Sequence, residues 1–188
     1  MSDTPGTNLF TGPLYGLANL LALCPTWQGL TWVAPAVDPL DPLEAPIPDE
    51  GQLWAAAMNR IRRYDMDVNA LPRPYALIMG KSRKLSTNSC SSFGHSGELL
   101  LGIEVDYNPI IAPAVALESF ERTLGKLVLE MTDIQGTTNA VVGVSALAVS
   151  SIEVDMPEAC KRPIQKRNHS DAWDEFLVVT MTVTYGGG

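Results

Sequence analysis

Glu98-Leu-Leu-Leu-Gly-Ile-Glu-Val-Asp-Tyr107 alternates. Leu99, Leu101, Ile103, Val105 and Tyr107 fall on one side of an extended chain, and Glu98, Glu104 and Asp106 on the other. A period of two with one apolar side is the pattern of a strand buried on one face. Beyond Pro109 and Pro113 the period changes. Leu117, Phe120, Leu124, Leu127 and Met131 recur at three- and four-residue spacing, with Glu118, Glu121, Arg122, Lys126 and Glu130 mostly off that stripe. This predicts an amphipathic helix with Pro113 in its first turn. A second alternating run, Phe176–Tyr185, sets Leu177, Val179, Met181, Val183 and Tyr185 against Thr180, Thr182 and Thr184. Threonine opposite β-branched residues suits a sheet that is wet on one side.

Working outward, Tyr75-Ala-Leu-Ile-Met79 is a short apolar run between breakers and reads as a buried strand. Ala146–Asp155 reads as a further strand with irregular alternation. Upstream, Pro13–Leu23 carries leucines largely at helical spacing and is expected to end at Pro25. Asp49 or Glu50 opens a second helix, with Trp54, Ala57, Met58 and Ile61 along one face. Arg60, Arg62 and Arg63 lie near its C-terminal end, where cations favour the helix dipole. The order is helix, long loop, helix, strand, arm, strand, long helix, strand, loop, strand. It predicts an α+β fold, a four-stranded antiparallel sheet with helices packed on one face. With no internal repeat or linker, residues 1–188 are expected to form a single domain with long loops at 33–50, 81–97 and 157–172.

Five prolines and three acids between Pro35 and Pro48 exclude regular helix or central strand there. Lys81–Gly97 is rich in Ser, Gly and cations without an apolar period, and is expected to be an exposed hairpin arm or mobile loop. Its seventeen residues far exceed the roughly two to five usual for a hairpin connection.

The chain has 188 residues, 46% hydrophobic and 18% charged, which suits one domain with a real core rather than a disordered segment. Thirteen Lys and Arg against 21 Asp and Glu give a formal charge of −8, the wrong sign for a protein that lives on phosphate contacts. The start is polar without a basic stretch, and Leu14–Cys24 is too short to cross a bilayer, so a soluble cytoplasmic product is expected. Cys24, Cys90 and Cys160 are widely spaced and odd in number, a pattern without a disulfide framework or zinc site.

Charge is segregated. Residues 1–58 hold six acids and no base, and residues 59–84 hold seven of the thirteen bases. Lys161, Arg162, Lys166 and Arg167 form a second basic group. Complementary patches of this kind can meet between subunits. The candidate contact residues are therefore Lys81, Arg83 and Lys84 on the arm, with Arg62, Arg63, Lys161 and Arg162.

Covalent chemistry finds little support. His95 and His169 have no metal-ligand partner at short spacing. Gly94-His-Ser-Gly97 is followed by Glu98 where a nucleophile elbow needs glycine. Cys90 and His95 lie five positions apart in a polar loop with no third orienting group. No catalytic residue, metal or cofactor is expected, although a hydrolase or thiol enzyme using Ser96 or Cys90 stands as the alternative class.

Four stretches carry a resemblance: Leu20-Leu-Ala-Leu-Cys-Pro-Thr-Trp-Gln-Gly-Leu30, Arg73-Pro-Tyr-Ala-Leu-Ile78, Ser96-Gly-Glu-Leu-Leu-Leu-Gly-Ile103 and Phe120-Glu-Arg-Thr-Leu-Gly-Lys126. In sequence and order of elements the chain resembles the tail terminator family of neck and tail-completion proteins of tailed bacteriophages. The resemblance implies an α+β fold, a hexameric ring that caps the finished tail tube, and a surface that docks the head connector. The implied partners are further copies of the chain, the tail tube protein and the connector or stopper. Membrane is not among them, and genome DNA only passes through the ring. The implied location is the virion, after assembly in the host cytoplasm. A stopper or adaptor elsewhere in the neck is the alternative within assembly.

Overall fold

Two fifteen-residue strands, β2 (Tyr75–Ser89) and β3 (Ser92–Asp106), form the hairpin around which the chain is built. The computed structural model describes residues 12–34, 47–63, 72–89, 92–108, 110–163 and 173–186. β6 (Trp173–Gly186) pairs antiparallel along the other side of β3, joining Ser96 to Gly186 and Asp106 to Phe176. β1 (Ile61–Arg63) adds to β2 in parallel. β4 (Val149–Val154) and β5 (Glu158–Pro163) both pair antiparallel with β6. Phe176–Val178 already meet β3 on one side and meet β5 on the other, so β4 and β5 lie end to end along one edge of the sheet. The order is β1-β2-β3-β6-β4, with β5 continuing β4.

Between β4 and β5 the edge carries a bulge. Val154 stands opposite Met181 and Glu158 opposite Val178, so Asp155, Met156 and Pro157 face only Val179 and Thr180. The Asp155 N–H still donates to Thr180 O at 2.9 Å, so the surplus residue is pushed outward.

The helices are α1 (Gly12–Leu23), α2 (Pro25–Thr31), α3 (Glu50–Met58) and α4 (Pro113–Ile134). Pro25 ends α1 as expected but also occupies the first turn of α2, where its missing N–H costs nothing. Asp49 caps α3 through a reciprocal pair: its side chain accepts from the Gln52 N–H, and the Gln52 side chain accepts from the Asp49 N–H. α4 buries Ala116, Phe120, Leu124, Leu127 and Met131, the stripe read from its spacing, with Leu117 half-buried beside it.

One face of the sheet supplies the core: Ala76 and Ile78 from β2, Leu99, Leu101 and Ile103 from β3, and alternate residues of β6 from Leu177 to Tyr185. They pack with Leu17, Leu20 and Leu21 of α1, Trp27 of α2 and the α4 stripe. Polar groups inside this core are paired, because an orphaned one costs more than the bond it could make. Asn19 is fully buried; it donates to Val144 O at 2.9 Å and accepts from Trp54 Nε1 at 3.0 Å. Trp27 Nε1 donates to Ala57 O at 3.2 Å. Glu130 of α4 accepts from the backbone and hydroxyl of Thr26, tying α2 to the long helix.

The mixed α and β organisation with helices on one face agrees with the sequence reading, and the strand inventory does not. Among the described residues the sheet has six strands rather than four, and one pair is parallel. Ile61, Arg62 and Arg63 leave the helix and form β1, because Asn59 ends α3. Of the two forms expected for the long connection at 81–97, a hairpin arm or a mobile loop, the structure shows the hairpin: β2 and β3 run on through it, and residues 90 and 91 lie outside the described residues. Within the loop placed at 157–172, Glu158–Pro163 is β5. Residues 35–46 of the proline-rich loop and residues 164–172 fall outside the described residues.

Gly97 marks where the hairpin leaves the sheet. A Cβ there would sit 2.3 Å from Ser82 O and 2.9 Å from the Tyr185 hydroxyl, and backbone cannot yield cheaply. Gly97→Val should therefore destabilise the fold by about 1–3 kcal/mol, read as a lower urea midpoint with an unchanged slope. A midpoint equal to that of the parent chain would show that β2 and β3 are less tightly apposed at this point.

Candidate interaction surface

No described helix covers the second face of the sheet. By register it carries Leu77 and Met79 of β2, Leu100 and Gly102 of β3, and Val178, Thr180, Thr182 and Thr184 of β6. At one end of this face stands a cluster of charges centred on Arg73, just ahead of β2. Its guanidinium bonds Glu104 at 3.3 Å, Asp106 at 2.7 Å and Asp174 at 2.9 and 2.5 Å. The side chain is only 11% exposed. Phe176 lies beneath two guanidinium groups, Arg73 at 4.3 Å and Arg162 at 4.9 Å from the ring centre. Arg162 also reaches Glu104 at 3.4 Å.

The electrostatics follow the contacts. Hydrogen bonding to Asp174 holds the Arg73 proton more tightly than usual, and the same bond lowers the Asp174 carboxyl below its ordinary value. Burial, reinforced by Glu104, pushes the Tyr75 phenol up to about 12. On the helix side, Lys161 pairs with Glu175 at 2.5 Å, and the Tyr107 hydroxyl donates to the same carboxylate at 3.1 Å. Those contacts lower Glu175 and raise Lys161.

At the opposite end, β2 and β3 run past their neighbours. Among the described residues β6 pairs with β3 as far as Ser96, and β1 pairs with β2 as far as Ile78. From Leu85 to Ser89 and from Ser92 to His95 the hairpin is a two-stranded ribbon with no third strand among the described residues. Five residues of strand extend it by about 17 Å.

The seven cations singled out from the sequence therefore fall in three places. Lys81, Arg83 and Lys84 stand where the ribbon leaves the sheet; Lys81 lies 3.5 Å from Glu98, Arg83 is half-buried and Lys84 is exposed. Arg62 and Arg63 lie on the β1 edge, Arg62 bonding Asn59 O and Ile61 O and Arg63 stacking 3.9 Å over the Tyr15 ring. Lys161 and Arg162 lie on β5 and are neutralised within the chain by Glu175 and Glu104. The structure does not gather the seven into one patch. Sequence reasoning missed Arg73 as the centre of the charged cluster, and it missed the acidic edge at Glu153, Asp155 and Glu158.

Of the residues weighed for covalent chemistry, His95 and Ser96 are described as backbone positions in β3. Cys24 is buried with Sγ 3.2 Å from Leu20 O, and burial, then Glu130, pushes its thiol up. Cys160 is half-buried on β5. Cys90 and His169 lie outside the described residues; the His95 backbone is on the ribbon, and Ser96 pairs with Gly186 of β6. Among the described residues no three His, Cys, Asp or Glu side chains are grouped to hold a metal, and no helix is long and apolar enough to cross a membrane. No protein-family model matches the sequence, and no curated protein matches it.

Proposed function

We propose that the chain is a structural virion protein, a tail terminator, six copies of which form a ring that caps the tail tube and docks it to the head connector. The observation that carries this reading is the β2–β3 ribbon. Among the described residues the ribbon has no third strand and no covering helix, and a two-stranded ribbon of that kind is marginal in water and suited to gain stability from a surface outside its own subunit. Cations at its root, on a chain of net charge −8, suit an acidic receiving surface on a neighbouring copy or on the last tube ring. The order of elements and the four stretches of resemblance support the same assignment. The partners are then further copies of the chain, the tube protein and the connector, with genome DNA passing through the ring rather than held by it.

The test joins mass to morphology. Native mass spectrometry and negative-stain images of the protein incubated with tail tubes should show a hexameric ring on the tube end. Replacing Leu85–His95 by an Asn-Gly turn should leave the unfolding midpoint nearly unchanged, because among the described residues β6 pairs with β3 as far as Ser96, and should abolish capping. A stable dimer at all concentrations, with bare tube ends, would overturn the reading.

A further inference from the structure

The two edges of the sheet are opposite in sign. On the β1 edge, Arg60, Arg62 and Arg63 meet no carboxylate among the described residues. Arg60 instead donates to Pro72 O at 2.6 Å. Beside these arginines opens an apolar hollow of about 390 Å³, lined chiefly by Tyr15, Ala18, Trp54, Met58, Ile61 and Val142. On the β4–β5 edge, Glu153, Asp155 and Glu158 are exposed, and none is ion-paired among the described residues. From the bulge between them Met156 projects, 83% exposed.

An apolar knob between acids and an apolar hollow beside arginines are therefore carried by one chain. We propose that the Asp155–Glu158 bulge of one copy seats Met156 in the Tyr15–Trp54–Met58 hollow of the next, with Asp155 and Glu158 meeting Arg62 and Arg63. The occupant is a second copy of this chain because both charge and polarity complement across its own two edges. The bulge breaks the regular ladder that plain strand addition would need, so the contact is made by side chains. Knob and hollow lie on opposite edges of a sheet five strands wide, about 19 Å apart at the usual strand spacing. One copy cannot satisfy both within itself. Such a head-to-tail contact closes into a ring if its rotation divides a full turn, and runs on as a filament if it does not. The inference rests on the ring reading for closure alone.

The experiment uses the full chain carrying Met156→Cys and Val142→Cys together, under mild oxidant. A disulfide needs Cα atoms within about 7 Å, so no bridge forms within one copy. The double variant should give a ladder of cross-linked oligomers, and each single variant should give none of that ladder. In parallel, Arg62→Glu with Arg63→Glu should weaken self-association at least about tenfold, and adding Asp155→Arg with Glu158→Arg should restore it. No ladder, or no rescue by the charge exchange, would overturn the contact. The two readings fail differently. A ladder that runs beyond six without closing supports the contact and overturns the hexameric ring, whereas a hexamer without the cross-link overturns the contact and leaves the ring.

Discussion

Trp27→Ala should cost about 4 kcal/mol of folding free energy and lower the thermal midpoint by about 12 °C. Trp27 has no exposed surface, and it is the largest side chain buried to that degree. It fills the space between α2 and α3, where its indole N–H satisfies the Ala57 carbonyl near the end of α3. Truncation opens a cavity and removes one hydrogen bond, while the Ala57 carbonyl keeps the Arg60 N–H at 3.2 Å, so the cavity supplies most of the cost. Trp27→Phe separates them. It keeps most of the ring volume and loses the hydrogen bond, so its cost should be near 1 kcal/mol plus a smaller packing loss. Thermal melts of the two variants check the ratio. Equal costs would mean that the hydrogen bond, not the volume, holds α2 on α3.

Arg73→Ala should be the most damaging surface-side change, at about 2–3 kcal/mol at pH 7. Loss of one partner from a well-buried ion pair costs more than that, and the exposure of Asp106 and Asp174 discounts it. The variant leaves Glu104, Asp106 and Asp174 converging on an empty position with only Arg162 nearby. Arg73→Lys should recover a minor part, because a point charge cannot bond three carboxylates as a fork does. The pH dependence has a definite sign. Asp174 is held below its ordinary carboxyl value by Arg73, so its contribution is fully present above the unfolded-state value near about 4. It is lost as pH falls through the lower folded-state value. The gap between parent and variant, measured by urea unfolding, should be constant near neutrality and narrow below about pH 4. A gap independent of pH down to pH 2 would show that Arg73 acts through packing on Phe176 alone.

What the sequence disclosed depends on how each element is held. β3, β6 and α4 each carry an apolar stripe on one side, so their period announces them. β5 has no such stripe: Glu-Ala-Cys-Lys-Arg-Pro is held by its ladder to β6 and by Lys161 against Glu175. β1 is three residues long and follows a helix directly, so Ile61 reads as one more helical position. The outer halves of β2 and β3 are Ser-, Thr- and Gly-rich with little apolar alternation, which is the composition of a loop as much as of a free ribbon. The Arg73 cluster was hidden for a different reason. Its carboxylates come from β3 and β6, 31, 33 and 101 positions away in sequence, and no local motif spans such distances.

The placing of β6 governs the order in which this molecule can be assembled from an unfolded chain. Only two residues separate β2 from β3 in the chain, so the strands can zip together as soon as both are present, at a small loop-closure cost. β6 follows every other described element in the chain and yet enters between β3 and the β4–β5 edge. Until it arrives, β3 presents a long unpaired flank, and the two short edge strands have nothing to pair with. Non-local pairing of this kind folds slowly, so the docking of β6 is the step expected to limit the rate, on the roughly millisecond-to-second scale of β-rich domains. A chain in which β6 has not yet docked leaves the β3 edge open, the kind of exposed strand edge that favours aggregation.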